Sequence, residues 1–514
     1  MIHIIIRPQS IINLLHNVRL DSSYDNTIYF DSSSAQQSYF SSQVKYALTD
    51  YTYVKNNAIT VGISTDNLVD CNYLSFQNVG FTSKWYYAFI TNVEYLNNTT
   101  SLITYEIDVL QSWYFDIDYK PSFIERMHIP IAEDKVNQNL VDEDLNIGDY
   151  MCHTKPIRVE LGESCIVVAS ASDGVSPSIG GGSFCGIYSG CAFFAYDNTT
   201  AGRVQLQTFL TTLTEKAKID SIVSIFMCPR KFVPLNVTTG SKLYSEIITG
   251  SIPQTIGEYT PKNKKLLHSP YSILKVNNGC GSEGNYLYEY FSQISFNQYS
   301  FRLNGALNCD VSCSFSPINY KNSDPTALLL SNNSESMSLK GFPLCSFNVD
   351  SYKAWLAQNF GSISISMASS VAGLAIGVAT GSPLGVVAGA LSVGNTIGSF
   401  VDKSKEPPIN RGSNGSSVYY STGDMTFTLY QTQVTEERAR IIDNYFELYG
   451  YKVNSVEVPT FNSRPHWNYI KTQNANIYCS SATQVVEKLK SIFDRGITFW
   501  KNGSEVGNYN LNNH

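Results

Sequence analysis

AWLAQNFGSISISMASSVAGLAIGVATGSPLGVVAGALSVGNTIGSFV, residues Ala354 to Val401, contains no Asp, Glu, Lys, Arg or His. Two apolar arms, Ser362–Thr380 and Leu384–Phe400, flank Gly381-Ser382-Pro383. Proline cannot continue a helix and the glycine ahead of it permits a turn, so the spacing predicts a helical hairpin. Arms of about 17–19 residues are about 26–28 Å long as helices, close to the hydrocarbon thickness of a bilayer. Gly373, Gly377, Gly381, Gly385 and Gly389 recur every fourth residue, followed by Gly394 and Gly398. That spacing lines them up on one stripe of a helix, where backbones approach closely. Each Gly also costs about 1 kcal/mol of helix propensity against Ala. The segment is therefore a poor autonomous helix in water and needs neighbours or lipid to form one.

Length and apolarity alone do not separate a membrane hairpin from one buried in a large core. Three features favour the membrane reading. The arms are rich in Ala, Gly and Ser, which are weak core formers. Asp350 and Lys353 precede the stretch, and the charged, breaker-rich DKSKEPPINRGSNGSS, Asp402 to Ser417, follows it. A two-armed excursion also leaves and rejoins the chain at nearly one place, as an insertion into another domain does.

A chain of 514 residues has room for several domains. With 36 Lys and Arg against 43 Asp and Glu, its formal charge is −7. This excludes a binder that works by neutralising phosphates, but it suits a conduit whose wall DNA must not stick to. Abundant Tyr and Phe with few charges fit a β-rich assembly protein whose surface is largely covered by partner subunits. The 11 cysteines form no CxxC pair and no His stands at zinc-like spacing from them, so most are expected as buried, reduced thiols. The N-terminal MIHIIIRPQSIINLLHNVRL lacks the long apolar core and cleavage site of a signal peptide.

Outward from the hairpin, the chain divides into four parts. Residues 1–150 read as strands separated by Asn, Gly, Asp and Ser, including a hairpin that joins Tyr95-Leu96 to Leu102-Ile103. Glu106 with Asp108, and Asp116 with Asp118, are expected on solvent- or interface-facing strand surfaces rather than as catalytic pairs. Residues 151–345 form a second β-rich region with one amphipathic helix, Val204–Lys216, running into a buried-strand pattern. Lys262, Lys264, Lys265 and His268 read as a solvated turn. Gly279, Gly281 and Gly284 match GxGxxG, but the following NYLYEYFSQISF is strand-like, so a turn is expected and not a nucleotide site. Residues 346–417 are the hydrophobic loop with its flanks, and 418–514 are α+β. There, Thr435 caps a helix with Ile441, Ile442, Tyr445, Phe446 and Tyr449 buried and Gly450 as its stop. Ser481-Ala482-Thr483-Gln484 fits a capping box for a second helix that buries Val485, Leu489, Ile492 and Phe493, and Asn502-Gly503 fits a hairpin turn.

HExxH, Walker A, GxSxG and EF-hand patterns are absent, and the seven His are scattered, so no enzyme, metal site or cofactor is expected. DSSYDNTIYFDSSSAQQSYFSS (Asp21–Ser42), NYLSFQNVGFTSKWYYAFITNVEY (Asn72–Tyr95), YEIDVLQSWYFDIDYKPSFIERMHI (Tyr105–Ile129) and FDRGITFWKNGSEVGNYN (Phe493–Asn510) resemble the tail knob, or distal tail tube, family of phi-29-like short-tailed bacteriophages. The match covers both ends well and the middle loosely.

The resemblance implies a mainly β, α+β, multi-domain subunit of a homohexameric tube at the tip of the virion tail. The C-terminal segment would complete the N-terminal tube domain. Partners would be a lower collar or proximal tail protein, genomic DNA passing without sequence recognition, and the host cytoplasmic membrane. The hydrophobic loops would plug the tube and later insert into that membrane as a pore. In this chain Ile363, Ile365, Met367, Val371, Leu374, Ile376, Val378, Leu384, Val386, Val387, Leu391, Val393 and Ile397 would meet lipid or one another. Gly373, Gly377, Gly381, Pro383, Gly385, Gly389, Gly394 and Gly398 would serve packing and hinge. The rival readings are a β-rich host-adhesion protein whose hairpin is only a buried oligomerisation core, and a cell-wall hydrolase.

Overall fold

In a computed structural model the described residues are 10–21, 25–51, 57–79, 82–173, 183–184, 187–188, 192–197, 199–216, 218, 221–233, 238–239, 242–279, 282–291, 297–307, 311–321, 336–339, 344–345 and 426–514. They are mainly β, with α-helices α1 (Ser33–Ser42), α2 (Val109–Trp113), α3 (Thr200–Glu215), α4 (Glu436–Tyr449) and α5 (Thr483–Arg495). The chain divides into two units. One comprises Met1–Asp149, Glu258–Tyr271 and Val434–His514; the other comprises Tyr150–Gly257 and Ser272–Gln433.

The first unit holds a six-stranded antiparallel sheet in the order Val44–Tyr51, Ser10–His16, Cys71–Asn78, Tyr86–Asn97, Thr100–Ile107, Ala58–Val61. Successive side chains of a strand point to opposite faces, so Leu74 and Ala88 enter one core while Tyr73 and Tyr87 enter another. The expected hairpin is present, with Tyr95 opposite Ser101.

A second, five-stranded sheet orders Asn26–Ile28, Ile497–Trp500, Trp467–Gln473, Ser122–Met127 and Tyr451–Glu457. Its Ile124, Ile470 and Phe499 share a core with Phe40 of α1 and Leu489, Ile492 and Phe493 of α5.

Several expectations at the C-terminal end are met and others corrected. Thr435 Oγ1 accepts from Arg438 N at 3.3 Å and Gly450 ends α4. The buried stripe of α4 is turned, however. Ile442 and Phe446 are buried, but Ile441 is 53 % exposed and Asp443 and Glu447 lie inside. Asp443 is compensated by Tyr259 Oη at 2.6 Å, Asn263 Nδ2 at 2.7 Å and the Lys262 backbone N at 2.8 Å. α5 starts from Ala482 with no side-chain cap, so the capping box is not formed. Asn502-Gly503 does not turn a hairpin either: Ile497–Trp500 pairs antiparallel with Trp467–Gln473 and parallel with Asn26–Ile28. The following residues fold over Trp467 and Trp500, with Tyr509 rings 5.3 and 5.0 Å away. Asn513 completes the Trp467 backbone through Nδ2 at 2.9 Å from its carbonyl.

In the second unit, one five-stranded sheet is Thr238–Thr239, Ala192–Asp197, Ser164–Ser170, Ile222–Pro229, Leu344–Cys345, with α3 packed on it through Leu206 and Leu213. Another places Thr426–Val434 between Tyr150–Cys152 and Ser272–Asn277, with Glu283–Tyr286 beyond and Ile157–Glu160 also paired to Thr426–Val434. A four-stranded sheet runs Lys242–Ser251, Gln298–Leu307, Val311–Pro317, Met337–Leu339. The GxGxxG match is flanked by paired strands, in keeping with the expected turn; its residues 280 and 281 lie outside the described residues. Ser272–Asn277 and Glu283–Tyr286 pair as a hairpin on either side of it, Gly279 has φ +67°, and Asn277 Oδ1 accepts from Gly279 N at 2.6 Å.

Candidate functional site

The hydrophobic stretch, with every residue singled out between Ile363 and Gly398, lies outside the described residues, but the strands on either side of it are described. Leu344–Cys345 leads into it, and Thr426–Val434 receives the chain afterwards. The leading strand and the returning strand as far as Gln433 belong to the second unit, and each is tied into a sheet.

On the leading side, Leu344 and Cys345 pair with Phe226 and Ile225. On the returning side, Phe427 and Leu429 are buried, and Phe427 stacks on Phe315 at 4.7 Å, which stacks on Phe301 at 4.6 Å. Such offset aromatic stacks add about 0.5–1.5 kcal/mol per pair beyond area burial. Polar side chains finish the anchor. Thr432 Oγ1 donates to the Ile273 carbonyl at 2.9 Å, and Gln431 and Gln433 Nε2 donate to the Ser251 and Thr255 carbonyls, each at 2.9 Å.

The other charged candidates are structural. Among the described residues no His, Cys, Asp and Glu cluster could hold a metal, and no helix is long and apolar enough to cross a membrane. Glu106 pairs with Lys488, Asp116 with Lys84 and Asp118 with Lys120. Asp108 corrects the strand-surface reading. It is buried at the N-cap of α2, accepting from Gln111 N at 2.9 Å and Tyr73 Oη at 2.8 Å, and burial raises its carboxyl to about 6.

Lys265 and His268 correct the solvated-turn reading, since both are buried. Lys265 Nζ meets Glu143 Oε1 at 2.5 Å, while Arg126 binds the other oxygen of Glu143 and stacks over the Tyr445 ring. His128 is also buried. Its Nδ1 accepts from Tyr469 N at 2.8 Å and its Nε2 donates to the Glu447 carbonyl at 3.0 Å. Sequence reasoning missed these buried groups because each is stabilised by a partner far away in the chain.

Two family profiles match the chain. The N-terminal domain of caudoviral major tail proteins matches residues 8–119, and the C-terminal domain of the phage phi29 tail knob protein gp9 matches residues 236–514. The chain is 24% identical to the tail knob protein gp9 of Bacillus phage B103 over 591 residues, and 23% identical to that of Bacillus phage phi29 over 598 residues. Each alignment takes in 98% of both chains. The tail knob protein gp12 of bacteriophage C1 superposes with a TM-score of 0.65 over 97% of this chain and 98% of that one, at 14% identity, which establishes a common fold. Because the C-terminal profile spans more than half of its length, this chain belongs to the tail knob protein family typified by phage phi29.

Proposed function

We propose that this tail knob protein is the subunit of a hexameric distal tail tube through which the genome leaves the virion. Its hydrophobic loop, Ala354–Val401, plugs the tube and is later released into the host cytoplasmic membrane, where six hairpins line a pore. The observation that carries the reading is the placement of this chargeless stretch between two sheet-anchored strands of one unit. Strands held on both sides keep the subunit folded while the segment between them exchanges one environment for another. Helical arms satisfy their own backbone groups in lipid, which a strand excursion could not do.

Residues 1–150 and 418–514 supply the tube domain in this reading, 151–345 the middle domain and 346–417 the loop, with the returning strand as far as Gln433 paired into the middle domain's sheet. That the first unit draws on both ends of the chain supports it. The mildly acidic charge of −7 suits a wall along which DNA slides without sequence recognition. A lower collar or proximal tail protein would hold the other end of the tube.

Deleting residues 361–400 tests the proposal. The purified deletion protein should retain a sixfold particle mass and lose the ability to release dye from liposomes, measured across a range of pH beside the intact chain. Leakage that survives the deletion removes the pore role. A monomeric intact chain without leakage returns the protein to the adhesion reading.

A further inference from the structure

We propose that Cys165 and Cys228 form a latent disulfide, an oxidative modification site that ties the strand Ser164–Ser170 to Ile222–Pro229 in the second unit. The two residues are direct register partners in an antiparallel ladder. Both are fully buried, and their sulfurs lie 3.8 Å apart. Directly opposed residues in such a ladder have Cα atoms about 4.5–5.5 Å apart, inside the range a disulfide spans. Closing the bond asks the two sulfurs to approach by only about 1.8 Å, which side-chain rotation supplies.

The neighbourhood favours one thiol as the nucleophile. Cys165 is opposite Asp197 on its other side, and the Asp197 carboxylate is held by Arg230 Nε at 2.6 Å. Either thiol can donate to the other across this contact, and with the Arg230 guanidinium close by, the Cys165 thiol is held below its usual range while its neighbour Cys165 and burial push Cys228 up. Each cysteine stands one residue from the end of its strand, and the Arg230–Asp197 pair beside them touches solvent. A reagent can therefore arrive when the strand ends open.

The oxidant is a small-molecule disulfide of the glutathione class. The Cys165 thiolate attacks one of its sulfurs, forming a mixed disulfide and releasing one small thiolate. Cys228 then gives up its proton and attacks Cys165 Sγ, forming the Sγ–Sγ bond and releasing the second thiolate. The protein loses two electrons and two protons, and two small thiols are produced. A chain made in reducing cytosol and carried outside in a virion meets such oxidants after release. The chemistry itself depends on neither the tube nor the pore.

The full-length protein, equilibrated with oxidised or with reduced glutathione, is unfolded, alkylated and analysed by peptide mass spectrometry. Of 11 cysteines, two should escape alkylation after oxidation, recovered as one peptide linking Cys165 to Cys228. The bond closes a long loop, so the melting temperature should rise by about 5–10 °C. Cys165→Ser and Cys228→Ser should each abolish both the link and the rise. The proposal is overturned if both thiols stay alkylatable in the oxidised wild-type protein, if Cys165 stops at the glutathione adduct, or if either variant keeps the rise. The wild-type peptide map decides alone should the variants fail to fold.

Discussion

Acidification should weaken the first unit through His128, and replacing that residue should remove a defined part of the loss. His128 is buried on the sheet beside α4. It is neutral with the proton on Nε2, since Nδ1 is the acceptor for Tyr469 N. Burial, with the nearby Arg464 charge, holds its imidazole down at about 3, although the Glu447 carbonyl and carboxylate pull the other way and His514 adds to the lowering. In the unfolded chain it titrates near 6.5. A lowered folded-state value means the stabilisation is complete above pH 6.5 and is lost as pH falls toward 3. At pH 5 the unfolded chain binds nearly one proton that the folded chain refuses, so His128 alone removes about 2 kcal/mol between pH 7.5 and 5. His268, lowered by burial to about 4, contributes in the same direction. His128→Gln keeps an acceptor and a donor without the charge. Trp467 Nε1 donates to the same Glu447 carbonyl at 3.0 Å, so tryptophan fluorescence in urea titrations reports on this site. The variant should lose about 2 kcal/mol less than wild type over that pH range. An equal loss in both proteins would refute the assignment of the proton to His128.

Asp108 should act in the opposite sense. Its raised value, about 6, means its contribution is fullest below pH 3.8 and is lost as pH rises through 6, so Asp108→Asn should stabilise the protein by about 1–3 kcal/mol at pH 7.5 in urea unfolding. Glu143→Ala strands the buried Arg126 and Lys265 without their shared carboxylate and should cost about 3–5 kcal/mol by the same measurement. Gly450→Ala places a methyl group against the Met127 backbone at φ +65 and should cost about 3 kcal/mol or more, visible as a lower melting temperature.

Short-range signals were legible in the sequence wherever the deciding interaction is local. Thr435 and Gly450 bracket α4, the chain between Tyr95 and Ser101 turns a hairpin, and antiparallel strands, not a strand and a helix, flank the glycines of the GxGxxG match. Polarity misled wherever the compensating group is distant. Lys265 stands 122 residues from Glu143, and Asp443 stands 180 from Asn263. Neither a charge cluster nor a helical stripe contains that information. Asn502-Gly503 carries the local signal of a hairpin, yet Ile497–Trp500 is already paired on both edges, with Trp467–Gln473 and Asn26–Ile28, which leaves no ladder for a returning strand to join. The candidate loop was conspicuous for a different reason: absence of charge over a long stretch is a compositional fact that needs no partner to be read.

The division of the chain bears on how a loop of this composition can be carried safely. The first unit is assembled from three separate segments, and the short middle one, Glu258–Tyr271, is held by the carboxylates of Asp443 and Glu143. These buried, fully partnered charges make a misplaced segment costly, because each removal leaves an opposite charge stranded. The second unit holds both ends of the hydrophobic stretch in paired strands, one of them backed by the Phe427, Phe315 and Phe301 stack. Under the proposed function, a glycine-rich stretch of low helix propensity needs its fixed points elsewhere in the chain, and these paired strands supply them.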